Sequence, residues 1–136
     1  MAMDNCVFCK IVSGEIPACK VYEDAIAVAF VDFRPLNPGH TIVVPKQHSS
    51  TFLEMMGADY ATLMRIVHMV GKKVSVAYPT ERLSVLIKGF DVAHTHVHLI
   101  PLNEDAELVF NKNGTTLPPE APLAVREVMA EKIKSA

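Results

Sequence analysis

The segment HTHVHLIPL, residues 94–102, places three histidines at alternate positions along a predicted β-strand. Because successive side chains of a strand point to opposite faces, His94, His96 and His98 are expected on one face. The intervening residues are then expected to face the core. Three neighbouring imidazoles give no packing advantage, and each requires a hydrogen-bonding partner when it is buried. The pattern therefore predicts a functional site on this strand.

Two kinds of chemistry use such a row of histidines. A His-x-His pair on a strand can hold a catalytic zinc ion. Alternatively, one imidazole attacks phosphorus while its neighbours bind phosphate oxygens. An imidazole is neutral near pH 7 and attacks through one nitrogen while a hydrogen bond holds the other, and its adduct with phosphorus is labile to water. The histidines alone leave both hypotheses open.

Outward from this segment, the hydrophobic pattern predicts three helices and four further strands. The helices are expected at residues 5–12, 59–78 and 122–134, and the strands at residues 19–23, 25–31, 40–44 and 83–87. Apolar residues in the longest helix follow i, i+3, i+4 spacing, with Asp59 as its predicted N-cap and Pro79 as its stop. The mostly apolar strand at residues 83–87 is expected to be central in the sheet.

This order of elements predicts an α+β fold with a mainly antiparallel five-stranded sheet. A single open sheet has exposed edges, which a dimer could cover. The 136 residues are expected to form one domain, 1–136, with its core at residues 6–102 and a C-terminal loop and helix at residues 103–136.

Composition narrows the class of protein. Half of the residues are apolar and 21% are charged, which is typical of a globular chain. The net charge of -2 gives no basic excess for a nucleic-acid partner. There is no apolar run near the ~20 residues of a membrane span, and the first residues do not resemble a secretory signal. A soluble, cytoplasmic protein without a membrane or nucleic-acid partner is therefore expected.

The cysteine pattern points to a metal or redox pair. There are three cysteines, and an odd number in a chain of this kind argues against a disulfide framework. Cys6 and Cys9 form a C-x-x-C motif, which is half of a zinc site or a redox pair. A redox pair is expected between a strand and a helix, whereas no strand precedes Cys6. Cys19 is expected to be an ordinary cysteine of the core or its edge.

The sequence resembles the histidine triad (HIT) family. The run from His94 to Ile100 is similar to the family motif His-φ-His-φ-His-φ-φ, in which φ is hydrophobic. The segments CVFCKIVSGEIP, VYED and NPGHTIVVPKQH are similar to those of bacterial-type members, in order and spacing over residues 6–102. The resemblance implies a HIT-like fold, with a short N-terminal helix, a long helix and a five-stranded sheet that is extended by homodimerisation.

The resemblance also implies an active site. The central triad histidine, His96, would attack the α-phosphorus of a nucleotide and form a nucleotidyl-histidine intermediate, which water would release. His98 would contact the α-phosphate oxygens, and His40 would line the same site. Asp32 occupies the position that binds the ribose hydroxyls, and a carboxylate can accept hydrogen bonds from two vicinal hydroxyls. Phe8, Ile11 and Phe30 would form an apolar pocket for the base.

The implied substrates are purine nucleoside 5′-phosphate derivatives, including phosphoramidates and dinucleoside polyphosphates, and no catalytic metal is expected. One alternative is a nucleotide-binding or interaction module with little turnover. Another is a zinc hydrolase in which His94, His96 and His98 hold the metal.

A structural zinc site is implied as well. Members with this C-x-x-C bind zinc through both cysteines, the histidine of the P-K-x-H segment and the first triad histidine. Those positions are Cys6, Cys9, His48 and His94. A Cys₂His₂ set is closed and tetrahedral, without an open position for catalysis. It would tie the N-terminal helix to the sheet.

One segment departs from the family pattern. Many members have Gly-Gln-Ser/Thr-Val where this chain has Gly89-Phe90-Asp91-Val92, in a region that helps to bind the phosphate and the leaving group. Gly89 and Asp91 are therefore candidate substrate-binding residues. An anionic Asp91 would repel phosphate unless Lys88 or a protonated imidazole offsets it. Asp91 could instead protonate the leaving group as a general acid.

Overall fold

Helices at both ends of the chain and one long helix in the middle pack on a single antiparallel sheet. The computed structural model describes residues 5–106 and 118–136. The helices are α1 (Val7–Ser13), α2 (Gly57–Ala77) and α3 (Leu123–Lys134), and the strands are β1 (Lys20–Glu23), β2 (Ala27–Val31), β3 (Thr41–Pro45), β4 (Arg82–Leu86) and β5 (Val97–Leu102). The strand order is β1-β2-β3-β5-β4, with antiparallel neighbours throughout. The expected α+β fold is confirmed.

The two faces of the sheet bury different sets of side chains. On β2, Ala27, Ala29 and Val31 join the main core beneath α2 and α3, while Val28 and Phe30 join a second core beneath α1. This division follows from the alternation of side chains along a strand. The α1 face is the face that carries the histidines, because His98 on β5 pairs with Ile42, a member of the second core.

The long helix begins earlier than its predicted N-cap. Helix α2 starts at Gly57, with Met56 as the N-cap, and the predicted cap Asp59 lies within the first turn. No side chain caps the helix at Met56. A carboxylate in the first turn is still favourable, because it faces the positive end of the helix dipole. The C-terminal end agrees with the prediction, since the helix stops directly before Tyr78 and Pro79.

The prediction that the strand at residues 83–87 is central was wrong. In the single chain, β4 is an edge strand, bonded to β5 alone. The inner place belongs to β5, which is buried at five of its six residues. Val85 on β4 is accordingly 51% exposed. The apolar content of a strand does not show whether the strand lies at the edge or in the middle of a sheet. Here the pairing of β5 with β3 leaves β4 at the edge.

The histidine strand starts later than predicted. Strand β5 begins at Val97, so His98 is the only triad histidine on the ladder. The segment before it bonds elsewhere, because the Thr95 amide donates to the carbonyl of Ser49, beyond the end of β3.

Two other boundaries shift for local reasons. Helix α1 runs from Val7 to Ser13, with Cys6 as its N-cap and Gly14 as a left-handed C-cap. Strand β2 begins at Ala27 because the Asp24 carboxylate accepts from the amides of Ile26 and Ala27, which forms a tight turn.

The C-terminal helix belongs to the main core. Helix α3 closely matches its prediction and contributes Met129, Ala130 and Ile133. Part of the predicted C-terminal loop, residues 107–117, lies outside the described residues. Within residues 5–106 and 118–136, no helix combines the length and the apolar content that crossing a bilayer requires.

Candidate active site and metal centre

Three of the predicted site histidines lie together on the α1 face of the sheet. The His98 ring is 5.1 Å from the ring of His40, which directly precedes β3, and 5.1 Å from the ring of His96. Phe8 of α1 packs 4.8 Å from the His96 ring. Although His96 precedes β5, its side chain therefore lies on the predicted face.

These side chains border a cavity of about 300 Å³ between α1 and the sheet. That volume is within the range of small-molecule sites. The predicted residues in its wall are Phe8, Ile11, Phe30, Asp32, His40, Asp91, His96 and His98. Gly89 is not among the lining residues. It has a φ of 85°, and a Cβ built on it would meet nothing within 4 Å.

Sequence analysis did not identify the rest of the wall. The additional lining residues are Val7, Phe33, Arg34, Leu36, Ile42 and Val92. A signal existed for Ile42, because its alternation on β3 places it on the same face as its partner His98. Arg34 could have been identified from the sequence as a cation two residues after Asp32. In the structure its guanidinium donates to the carbonyl of Pro118.

The hydrogen bonding of His96 fixes its tautomer. Its Nδ1 atom lies 2.8 Å from the backbone carbonyl oxygen of His94, which can only accept, so Nδ1 carries the proton. In the neutral ring Nε2 then holds a lone pair. His96 is 2% exposed, so the ring is held in place by packing as well. This is the arrangement that an imidazole nucleophile requires.

A second chain of hydrogen bonds orients His98. The backbone amide of Leu36 donates to Nδ1 of His40 over 3.0 Å, so the proton of His40 must reside on Nε2. That atom lies 2.9 Å from Nδ1 of His98 and 3.2 Å from Oδ2 of Asp32. His98 therefore accepts at Nδ1 and carries its own proton on Nε2. The ring is set up as a hydrogen-bond donor.

Burial keeps these imidazoles neutral. It lowers the pKa of His40 to about 4. Burial also lowers the pKa of His98 to about 4, reinforced by the neighbouring imidazoles and opposed by Asp32. The pKa of Asp32 is raised, mainly by burial, and the hydrogen bond from the Arg34 amide opposes that change. At neutral pH both histidines are therefore uncharged, as the tautomer assignment assumes.

Four ligand atoms converge near the N-terminus of α1, where Cys6 is the N-cap and Cys9 lies in the first turn. The sulfur of Cys6 lies 3.4 Å from Nδ1 of His94, and the sulfur of Cys9 lies 3.5 Å from the same atom and 3.3 Å from Nδ1 of His48. The two histidine nitrogens are 3.1 Å apart. Tetrahedral zinc with bonds of about 2.3 Å to sulfur and 2.0–2.1 Å to nitrogen requires S–N separations of about 3.5 Å and N–N separations of about 3.3 Å. The cluster can hold a metal ion, and its geometry fits zinc.

The second ring nitrogen of His94 supports the same conclusion. Its Nε2 atom lies 2.9 Å from the carbonyl oxygen of Pro45, so Nε2 carries the proton and Nδ1 is free to bind a metal. Metal-bound histidines commonly donate their other N–H to a carbonyl in this way.

The alternative metal centre, formed by the three triad histidines, is not supported. Among the described residues, the groups that could hold an ion are the cluster above and a set of Asp32, His40 and His98. Neither group includes His96. The second set also fits a metal poorly, since the amide of Leu36 keeps the proton on the nitrogen of His40 that would have to bind.

Comparisons with known proteins agree with this geometry. A family model described as HIT domain matches residues 13–105. An adenosine 5′-monophosphoramidase of Schizosaccharomyces pombe is 35% identical, over 96% of this chain and 99% of the relative. The structure of a HIT-like protein from Bartonella henselae has a TM-score of 0.86 and 29% identity, over 99% of this chain and 98% of the other. A zinc-bound histidine triad family protein from Mycobacterium smegmatis has a TM-score of 0.76 and 26% identity, over 96% and 91% of the two chains.

Proposed function

This chain belongs to the HIT domain family, and on that premise we propose that it is a nucleotide hydrolase of the histidine triad type. It acts at the α-phosphorus of nucleoside 5′-phosphate derivatives. One observation carries the proposal: the hydrogen bond from Nδ1 of His96 to the carbonyl of His94 leaves the Nε2 lone pair available beside a cavity of suitable size. The related phosphoramidase catalyses a reaction of this class.

The reaction proceeds in two displacements. In the first, the Nε2 lone pair of His96 bonds to the α-phosphorus, and the bond from phosphorus to the leaving group breaks with its electron pair going to that group. A phosphoramidate releases an amine, whose nitrogen takes up a proton from solvent. In the second displacement, water attacks phosphorus, the bond to Nε2 breaks, and the proton of the water passes to solvent. The nucleoside monophosphate is then released.

The neighbouring histidines stabilise the charge that develops on phosphate. With its proton on Nε2, His98 donates a hydrogen bond to an α-phosphate oxygen. His40 is a positioning residue, because it acts through Nδ1 of His98. Donors that are fixed before the reaction cost little reorganisation in the transition state, which is why such groups are effective catalysts.

The cavity divides into polar and apolar parts that match a nucleotide. Phe8, Ile11 and Phe30 form the wall for the base, with purines preferred. Asp32 binds the ribose hydroxyls, and its carboxylate, 3.2 Å from Nε2 of His40, supports a ribose contact next to the proposed phosphate site. Phosphoramidates and dinucleoside polyphosphates are the substrate types that this arrangement suits.

Zinc is the metal that we assign to the cluster of Cys6, Cys9, His48 and His94, in a structural role. All four protein ligands are present, so the ion has no open position for substrate. It supplies a fixed attachment of α1, and α1 carries the Phe8 and Ile11 side chains of the cavity wall.

A homodimer, a cytoplasmic location and a single domain with its core at residues 6–102 stay predictions. Support for the dimer comes from the edge strand β4, whose Val85 is exposed, and from Met69 and Val76, which are exposed apolar residues of α2. Light scattering of the purified protein tests the dimer directly.

The function is tested by intact-protein mass spectrometry after brief mixing with an adenosine 5′-phosphoramidate and an acid-free quench. Wild type should gain the mass of one nucleotidyl group, and His96→Ala should not, although the variant still binds AMP. Turnover by His96→Ala at the wild-type rate would refute the assignment of the nucleophile. Binding of AMP by wild type without adduct or product would favour the alternative, a nucleotide-binding module.

A further inference from the structure

The charged side chains of the cavity carry a net negative charge. Those in its described wall are the carboxylates Asp32 and Asp91 and the guanidinium of Arg34. Arg34 also donates to the carbonyl of Pro118, so part of its hydrogen-bonding capacity is used within the protein. Because the buried histidines His40 and His98 are neutral at pH 7, they do not offset this charge. A phosphate-binding site with such a balance is unusual.

Asp91 is the residue that makes the net charge of the cavity wall negative. Its carboxylate lies 3.4 Å from the ammonium of Lys88, and the side chains are 43% and 21% exposed, respectively. Such a solvent-exposed pair screens a charge only in part. The effect of Asp91 extends to the site histidine: burial dominates the lowered pKa of His98, yet the Asp91 carboxylate acts to raise it. Asp91 acts on the pKa of Asp32 in the same direction, where burial is again the main cause.

We infer that Asp91 is a specificity-determining residue, which favours leaving groups with positive charge and disfavours leaving groups with negative charge. The inference rests on the proposed function, since it concerns the group that departs from phosphorus. The preferred substrate class is a nucleoside 5′-phosphoramidate of an amine that bears a further ammonium group. Within the proposed substrates, compounds with an anionic leaving group, such as dinucleoside polyphosphates, are the disfavoured class.

The chemistry of the first displacement agrees with this role. The departing nitrogen leaves as a neutral amine with the electron pair of the P–N bond, and it does so because it has first taken up a proton from solvent and become positively charged. A carboxylate nearby stabilises this developing charge. When an oxygen anion departs instead, negative charge develops at the same place, and Asp91 opposes it. The role of Asp91, beside Lys88, is electrostatic and requires no proton transfer from its carboxylate.

Three adenosine 5′-phosphoramidates of equal length test the inference. Their amines are 1,4-diaminobutane, pentylamine and 5-aminopentanoate, which differ only in a terminal ammonium, methyl or carboxylate group. Wild type should show the highest kcat/KM with the ammonium compound and the lowest with the carboxylate compound. The ratio of the two extremes should be about three- to tenfold, because it combines one attraction and one repulsion at a partly exposed carboxylate.

The Asp91→Asn variant should bring this ratio close to one. A matched control is Glu104→Gln, which removes an exposed carboxylate beyond the opposite end of β5 and should leave the ratio at its wild-type value. If Asp91→Asn keeps the wild-type ratio, or if wild type shows no preference, the inference is overturned while the proposed function stands. If wild type turns over none of the three compounds, the inference and the proposed function both fail.

A measurement on wild type covers the case in which Asp91→Asn does not fold. Raising the ionic strength from about 0.01 M to about 1 M shortens the Debye length from about 30 Å to about 3 Å. The preference for the ammonium compound should then weaken by at least about threefold. A preference that is insensitive to salt would show that shape, not the charge of Asp91, selects the leaving group.

Discussion

The backbone carbonyl oxygen of His94 lies 2.8 Å from Nδ1 of His96, while the ring of the same His94 belongs to the cysteine–histidine cluster. One residue therefore contributes its side chain to the candidate metal centre and its main chain to the orientation of His96, the proposed nucleophile. Phe8 forms a second connection, because it packs against the rings of both His94 and His96. The metal centre and the cavity are thus expected to respond together when either is changed.

The first prediction concerns the metal. Cys6→Ser should lower the zinc content below one ion per chain and raise KM for the nucleotide, because α1 loses its attachment. The midpoint of thermal unfolding should fall by more than about 5 °C, since loss of a structural metal ligand costs more than about 1 kcal/mol. Atomic emission spectroscopy measures the zinc content, steady-state kinetics the KM, and calorimetry the midpoint of thermal unfolding.

Cys19→Ser is the matched control, because Cys19 lies outside the cluster and packs against the main core. It should retain the metal. An unchanged zinc content in Cys6→Ser would exclude the cluster as the binding site, and loss of zinc in His96→Ala alone would instead indicate a catalytic metal.

The second prediction concerns His40 as a positioning residue. His40→Ala removes the donor to Nδ1 of His98, so kcat should fall about 10- to 100-fold, the range for loss of a supporting hydrogen bond. His40→Gln places an amide N–H near the position of Nε2 and should recover part of the loss. Single-turnover kinetics measures the rate of the first displacement directly. Equal rates in the two variants would mean that His40 acts by packing alone.

The third prediction concerns stability against pH. The pKa of His40 is lowered by burial from 6.5 to about 4, so between these values the unfolded chain binds a proton that the folded chain does not. The free energy of unfolding should therefore fall as the pH drops from about 6.5 to about 4, by up to about 3 kcal/mol for this group.

Urea unfolding at several pH values in this window provides the measurement. Burial also lowers the pKa values of His94 and His98 to about 4, so the informative quantity is the difference between wild type and His40→Gln. The variant should lose less stability on acidification. Parallel curves for the two proteins would contradict the prediction.

The fourth prediction separates backbone strain from a steric clash. Gly39 has a φ of 91°, and a Cβ built there would lie 2.8 Å from ring carbons of Tyr78. Gly14 has a similar φ of 85° with open space around it. Gly14→Ala should cost about 1 kcal/mol from the left-handed conformation alone, and Gly39→Ala clearly more. Chemical denaturation measures the free energy of unfolding of both variants. Equal losses of stability would mean that the Tyr78 side chain moves away at no cost.

Local patterns predicted the parts of the fold that local physics determines. The spacing of apolar residues was sufficient to predict helix α2, because a helix buries one stripe of its own sequence. The position of β4 was not predictable in this way, since it depends on the insertion of β5 between β3 and β4. The start of β5 likewise depends on the distant bond between Thr95 and Ser49.

The same distinction holds for the site. The histidines stood out because imidazoles are costly to bury without a hydrogen-bonding partner, and Cys6 and Cys9 stood out through their C-x-x-C spacing. Leu36 gave no signal, since it acts through its backbone amide, and Gly89 was expected in the cavity wall from its place in a motif. Of the two candidates predicted in that segment, Asp91 lies in the wall and Gly89 does not.

The hydrogen bond that sets the proton on His40 comes from a main-chain amide, and this has a genetic consequence. Nineteen of the twenty standard amino acids carry that N–H group, so almost any missense change at position 36 preserves the donor. Proline alone removes it, although Pro35 and Pro38 are tolerated close by. The position of the proton in the proposed catalytic centre is thus preserved through nearly every substitution at the residue that sets it.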